Sequence, residues 1–370
     1  MSCKLHRRFV VNFFFNIFTS INYSPRHSEI IVQFIRKVQV IEMECQKIIV
    51  DCDAGTDDAL ALILLIAAHK QKKIEILAIT CVTGNTYVDN VVNNVFRTLR
   101  VCDALDIPVH KGADSALLST ESARIVVRHG FHHGSDGFGD VYTDKPDISK
   151  LKEEHAVCAL HRITAKYPGE VTVLGLGPLT NVAIAVRMYP DFAKNVKKFL
   201  VMGGNLCALA GSLSSQVDFN FFADPESVHI VMNFAAKKMW LLPLGTCMRS
   251  NITHEWRDNV FGKIDTPVVE LINTIDSGKY KTSKKRTLNY RPCDALLAGV
   301  LLRPDIAKDL ALHHVDIELN GLKTRGQVVI DDLASNEPNV HIIQDLDFET
   351  FKDLLIYAAN PNTENSRVLL

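Results

Sequence analysis

From residue 47 onwards, short β-rich apolar runs alternate with segments of helical length, and this alternation constrains the fold more than any other feature of the 370-residue chain. KIIVDCD (47–53) reads as a strand and DDALALILLIAAHK (57–70) as a helix, followed by strand EILAITCVTGN (75–85), helix YVDNVVNNVFRTLRVC (87–102) and strand IPVHKGA (107–113). Helix-length crossovers between short apolar strands build a parallel sheet with helices on both faces. The pattern resumes with helix EEHAVCALHRITAKYPG (153–169), stopped by Pro168 and Gly169, then strand VTVLGLGP (171–178), helix LTNVAIAVRMYP (179–190) and strand KKFLVMGGN (197–205). Helix DPESVHIVMNFAAKK (224–238) and strand MWLLPLG (239–245) come next. Residues 251–290 read as polar and helical, and their basic run KYKTSKKR (279–286) as a solvated helix end. RPCDALLAGVLL (291–302) reads as a helix, VDIELNG (315–321) with TRGQVVID (324–331) as a hairpin, and DFETFKDLLIYAA (347–359) as a closing helix. The expected fold is α/β: a single domain over 47–370 with an open, mostly parallel central sheet flanked by helices.

Composition narrows the function classes. A hydrophobic content of 47% is ample for a buried core, and 41 Lys+Arg against 42 Asp+Glu leaves no global field directed at nucleic acid or an anionic membrane. No apolar run approaches the roughly 18 residues of a membrane span. The 9 cysteines occur singly, which suits reduced thiols and a cytoplasmic location. Residues 1–46 are read as an extension outside the fold. MSCKLHRR before FVVNFFFNIFTSI has the order of a signal peptide, so secretion is the alternative if residues 1–22 act as one. Asn12 and Asn16 interrupt that stretch, no small-x-small cleavage site follows it, and Met43 stands just before the first strand.

The chemistry concentrates in DCDAGTDDAL (51–60), where Asp51, Asp53, Asp57 and Asp58 fall within eight positions at the end of the first strand. Ligands of open α/β sheets bind beyond the carboxyl ends of the strands. Asp57 and Asp58 fit helix capping, at roughly 0.3–1 kcal/mol each. Capping leaves Asp51 and Asp53 unexplained, because partly buried carboxylates cluster only if protonated or bound to a cation. Oxygen-only ligands select Ca²⁺ or Mg²⁺. Gly55 is read as the residue that permits the turn, and RHGFHHGSDGFGD (128–140) as a mobile loop.

DCDAGTDDALAL resembles the DxDxGxDDAxA motif of nucleoside hydrolases. The likeness continues through TGN (83–85), HGSDGFGD (133–140) save its first residue, GPLTNVA (177–183), MGG (202–204), DFN (218–220), DPE (224–226) and CDA (293–295). The resemblance implies Ca²⁺-dependent hydrolysis of ribonucleosides to ribose and free base by a homodimer or homotetramer, with no nucleic-acid or membrane partner. It implies calcium held by Asp53, Asp58, Asp294 and the Leu176 carbonyl, with Asp53 as general base towards a calcium-activated water. Asp57, Asn85 and Asn220 would hold the ribose 2′ and 3′ hydroxyls, and Asp51 would orient the loop. Departure of the base leaves an oxocarbenium-like sugar, which an anionic pocket stabilises.

Three positions depart from the usual pattern. Asp218 stands where Glu is common and Ser212 where Asn is common, both towards the ribose 5′ hydroxyl. Cys293 stands where many members carry a His proposed to protonate the base, as in a Cys-bearing subset of the family; a packing role is as good a reading. His129, His132 and His133 are the nearest alternative acids, with His133 the candidate. Thr180 and Asn181 are read as capping and positioning the helix after Leu176, and Phe138, Trp240 and Trp256 as packing residues. Two rivals remain: a nucleoside-binding protein of this fold with impaired catalysis, and a Mg²⁺-dependent haloacid-dehalogenase-type phosphatase, whose first strand also ends in Asp-x-Asp.

Overall fold

The computed structural model describes residues 45–118, 131–206, 217–235, 237–282 and 289–361. Strand β1 (Gln46–Cys52) leads into helix α1 (Thr56–Lys70), and β2 (Ile74–Cys81), α2 (Val88–Val101) and β3 (Val109–Lys111) follow. The middle of the chain carries α3 (Ala156–Lys166), β4 (Val171–Gly175), α4 (Thr180–Met188), β5 (Val196–Met202), α5 (Pro225–Ala235) and β6 (Met239–Leu242). Helices α6 (Pro267–Thr282) and α7 (Cys293–Leu302), strands β7 (Ala307–His313), β8 (Val315–Ile317), β9 (Val328–Ile330) and β10 (Val340–Leu346), and helix α8 (Phe348–Ala359) complete it. The described residues from Gln46 to Pro361 belong to one compact unit.

The sheet has eight strands in the order β3-β2-β1-β4-β5-β6-β10-β7, parallel except for β7 against β10. The chain runs outward from β1 through β2 to β3, then returns to the other side of β1 and runs outward again from β4. Crossovers therefore leave in opposite directions at β1 and β4, which opens a crevice beyond their carboxyl ends. β8 and β9 form the separate hairpin expected from the sequence.

Alternation along β1 assigns the two faces: Ile48, Val50 and Cys52 enter the core beneath α1, α7 and α8, while Ile49 enters the core beneath α3, α4 and α5. Helix α1 is apolar all round and buried from Ala59 to Ala68, as a helix without a polar face must be. α7 is likewise buried from Asp294 to Leu301 and packs on α1, so two central helices begin side by side at the crevice.

Strands β7 and β10 go unrecognised in the sequence. AKDLALH is a sheet edge exposed along most of its length, so its polar residues mask the alternation. No helix among the described residues is long and apolar enough to cross a membrane.

Candidate active site

The floor of the crevice is a set of hydrogen bonds that joins strand ends. Asp51 Oδ1 accepts from Thr80 Oγ1 at 2.6 Å and from Asn181 Nδ2 at 2.8 Å. The Asn181 amide also donates to the Cys81 carbonyl at 3.0 Å and accepts from Ala113 N at 2.8 Å. Burial pushes Asp51 up to about 7 despite these donors. Asp51 thus braces the site instead of facing a ligand. Asn181 does not cap α4: the N-cap is Leu179, with no side-chain bond, and Thr180 instead donates to Asp224 Oδ2 at 2.6 Å. Those two side chains tie segments across the sheet, a role that motif position alone does not reveal.

After β1 the chain turns sharply at Ala54, whose φ is 38°. The strained left-handed residue is therefore Ala54, not Gly55, whose backbone is extended. Gly55 is required for room, because a Cβ there would lie 2.7 Å from Asn85 Nδ2 and 3.1 Å from His133 Cγ. The turn presents Asp53 to Asn85, whose backbone N–H donates to Oδ2 at 2.7 Å and whose amide donates to Oδ1 at 3.0 Å. Gly84 and Gly177 wall the same carboxylate, and a Cβ on Gly84 would lie 2.1 Å from Asp53 Oδ2.

Asp57 and Asp58 open α1, and Asp294 opens α7. One ligand atom from each lies within 4.8 Å of the others, a group able to hold a metal ion. Gly55 N donates to Asp58 Oδ2 at 2.8 Å, but Asp58 Oδ1 and Asp57 Oδ1 are buried with no hydrogen-bond partner. Burial is the main force that raises all four carboxyls, with the charges of neighbouring carboxylates adding to it: Asp58 to about 7, Asp57 above its ordinary value, and Asp53 and Asp294 well above theirs. Orphaned carboxylate oxygens that resist ionisation, gathered at two helix N-termini, fit a hard cation. The Leu176 carbonyl, just beyond β4, accepts from Asn220 Nδ2 at 2.7 Å and retains a second lone pair. The tight group unites Asp58 and Asp294 with Asp57, and Asp53 joins it through Asn85, whose amide also lies 3.4 Å from Asp58 Oδ2.

Asp218 is buried and caps the helical turn Phe219–Ala223, and burial raises it to about 6. Cys293 at the start of α7 lies 3.7 Å from the Arg291 carbonyl; a hydrogen bond with Cys247, then burial, pushes its thiol well above the ordinary range. Ser212 and His129 lie outside the described residues.

Residues 131–140 are cross-braced. Asp136 Oδ1 accepts from Phe138 N at 2.7 Å and Asp140 N at 2.9 Å, while Asn94 Nδ2 joins the Asp136 carbonyl at 2.8 Å to the Ala54 carbonyl at 3.0 Å. The glycines read as signs of mobility instead supply left-handed turns, with φ of 83° at Gly134 and Gly137 and 74° at Gly139. Phe138 is core, Trp240 lies against Lys198 and His341, and Trp256 against Phe261 and Lys352. This bracket fixes His133, whose Nδ1 lies 2.8 Å from Thr56 Oγ1 and whose Nε2 lies 3.6 Å from Asp57 Oδ1. Lys279 departs from the solvated helix end expected of its run: it is half-buried, with Nζ 3.3 Å from Thr56 Oγ1. Only the fold brings α6 to the crevice, so the sequence carries no local sign of this contact.

The model of the inosine-uridine preferring nucleoside hydrolase family matches residues 48–353. The chain belongs to that family. The inosine-uridine preferring nucleoside hydrolase of Leishmania major is 31% identical over 317 residues, 85% of this chain and 97% of that protein. Its counterpart from Crithidia fasciculata is 29% identical over 329 residues. Among solved structures, an inosine-guanosine nucleoside hydrolase superposes with a TM-score of 0.75 at 25% identity, covering 85% of this chain and 98% of its own. The purine-preferring ribonucleoside hydrolase from Gardnerella vaginalis, at 22% identity and a TM-score of 0.73, shares the fold. As a member of this family the chain is a ribonucleoside hydrolase, and the phosphatase reading falls away.

Proposed function

We propose that the chain cleaves the N-glycosidic bond of ribonucleosides with Asp53 as general base and Ca²⁺ as its metal. The observation that carries this reading is the cluster of Asp57, Asp58 and Asp294, with orphaned buried oxygens on Asp57 and Asp58 and with Asp53 tied to it through Asn85, at the switch point of the sheet. Asp58, Asp294, Asp53 and the Leu176 carbonyl would hold a calcium ion, which supplies positive charge that acidifies water and grips vicinal hydroxyls. Asp53, fixed by Asn85 through both oxygens, takes the proton from water as it attacks the anomeric carbon. Asp57, Asn85 and Asn220 hold the ribose 2′ and 3′ hydroxyls, and Asp218 is assigned to the 5′ hydroxyl, a role that the motif position of Ser212 would let it share. The surrounding carboxylates stabilise the oxocarbenium-like sugar as the bond breaks.

His133, turned towards Asp57 through Nε2, is the proton donor to the departing base. Cys293 is the weaker donor, since its thiol is held protonated far above neutral pH. We place the enzyme in the cytoplasm as a homodimer or homotetramer, with the extension expected over residues 1–46 ending one residue earlier, because Gln46 already pairs in β1. Retention of every proposed metal ligand argues against a binding protein that has lost catalysis. Ribose release from inosine and uridine tests the reading, and absence of ribose from folded, calcium-loaded protein would sink it.

A further inference from the structure

The hydrogen bonds around His133 fix its chemistry more tightly than its position does. The backbone N–H of Thr56 donates to His133 Nδ1 at 3.1 Å, and an amide N–H has no capacity to accept, so Nδ1 carries no proton. The ring proton therefore sits on Nε2, the nitrogen facing Asp57. The Thr56 hydroxyl lies 2.8 Å from the same Nδ1 and in turn accepts from the Lys279 ammonium at 3.3 Å. Lysine has donors only, so its contact turns the Thr56 O–H towards His133. The result is one directed chain: Lys279 N–H to Thr56 O–H to His133 Nδ1, then His133 Nε2–H into the crevice.

Because Nδ1 accepts the Thr56 N–H, the imidazole carries a single ring proton, on Nε2, and is neutral. A neutral imidazole that surrenders its Nε2 proton becomes an imidazolate unless Nδ1 receives another. The Thr56 hydroxyl is placed to give that proton and Lys279 to replace it. Close packing maintains the arrangement: a Cβ on Gly278 of α6 would lie 2.2 Å from the Gly139 carbonyl, so α6 rests directly on the loop that carries His133.

We propose that Lys279, acting through Thr56, is the positioning residue that fixes His133 as an Nε2 donor and returns a proton to its Nδ1 as the base departs. This rests on the hydrolase reading above. In the step, the electrons of the breaking C1′–N bond pass to the base nitrogen, which takes the His133 Nε2 proton. The Thr56 hydroxyl proton moves to Nδ1, and a Lys279 proton moves to Thr56 Oγ1. Lys279 is left as an amine and, being half-buried, recovers its proton from solvent.

The test compares ribosides that need a proton on the leaving group with one that does not. In Lys279→Met and Thr56→Val, kcat on inosine and uridine should fall about 100-fold, within the range of lost general-acid catalysis, with KM nearly unchanged. Turnover of p-nitrophenyl β-D-ribofuranoside, whose phenolate leaves unprotonated, should change by less than about threefold, and Thr56→Ser should retain wild-type behaviour. Equal losses on both substrate classes would show that Lys279 only offsets the Asp57 charge and would overturn the proposal, as would unchanged inosine turnover. Nitrogen-15 spectra of the histidines give a readout independent of activity. His133 Nδ1 should be unprotonated in the wild type, with the preference weakened in Thr56→Val, and a protonated Nδ1 in the wild type overturns the proposal. If the wild type cleaves no riboside at all, the hydrolase reading fails and the spectra alone decide the positioning claim.

Discussion

Asn85 holds Asp53 by both oxygens, its backbone N–H reaching Oδ2 at 2.7 Å and its side-chain amide reaching Oδ1 at 3.0 Å. A general base works only in one orientation, so Asn85 is expected to matter to kcat beyond any contact with ribose. Asn85→Ala should lower kcat/KM on inosine by about 10- to 1000-fold, while Asp53→Ala abolishes turnover with the fold intact. Steady-state kinetics with circular dichroism on the same samples check both, and turnover by folded Asp53→Ala would remove Asp53 from its role.

Gly84 offers a test of the same carboxylate without altering it. An alanine methyl group would lie 2.1 Å from Asp53 Oδ2 and force the side chain away from Asn85. Gly84→Ala should therefore approach Asp53→Ala in activity, whereas Gly169→Ala, where nothing lies within 4 Å of the added carbon, should change turnover little. Because Gly169 has a φ of 75°, that control should lose some stability.

The Asp51 and Asn181 pair predicts a stability effect. Asn181→Leu removes a donor from a fully buried carboxyl and from the Cys81 carbonyl, and leaves the Ala113 N–H without its acceptor. The cost should be at least about 1–3 kcal/mol, read as a lower urea midpoint at unchanged slope. A midpoint equal to the wild type would contradict the bracing role.

Much of this architecture was legible in the sequence because period and punctuation agreed: β1 through β6 and the helices between them follow from alternating strand and helix lengths. Where exposure broke the pattern, as in β7, the sequence was mute. Motif spacing located Asp53, Asp57 and Asp58, and the family resemblance added Asp294, yet spacing misjudged Gly55, whose service is space while Ala54 takes the left-handed turn. Thr180 and Asn181 read as caps because helix starts favour such residues, although their partners lie on other segments. Lys279 was invisible for a stronger reason: its meaning depends on α6 lying over the loop at Gly139, and no local signal carries a tertiary contact.

Stability should respond to pH through the same carboxyls. Asp51 and Asp58 stand at about 7 in the fold against an ordinary value of 3.8, so the folded state binds protons that the unfolded state has released. Their favourable contribution is complete below the ordinary value and is lost as pH rises through 7. Chelator-treated protein should therefore have a lower urea midpoint at about pH 8 than at about pH 5, and excess Ca²⁺ should narrow or reverse that gap by binding the ionised form. Asp294→Asn should weaken the calcium response. A chelated protein more stable at the higher pH would contradict these assignments.

Ribose release from inosine and uridine by the full chain, assayed with bound metal, after chelation, and after restoring Ca²⁺, decides whether this crevice is a metal-dependent nucleosidase site. The loaded enzyme should release ribose and free base in equal amounts, lose that activity on chelation and recover it with Ca²⁺. Undiminished turnover in a protein shown to be free of metal would contradict that dependence.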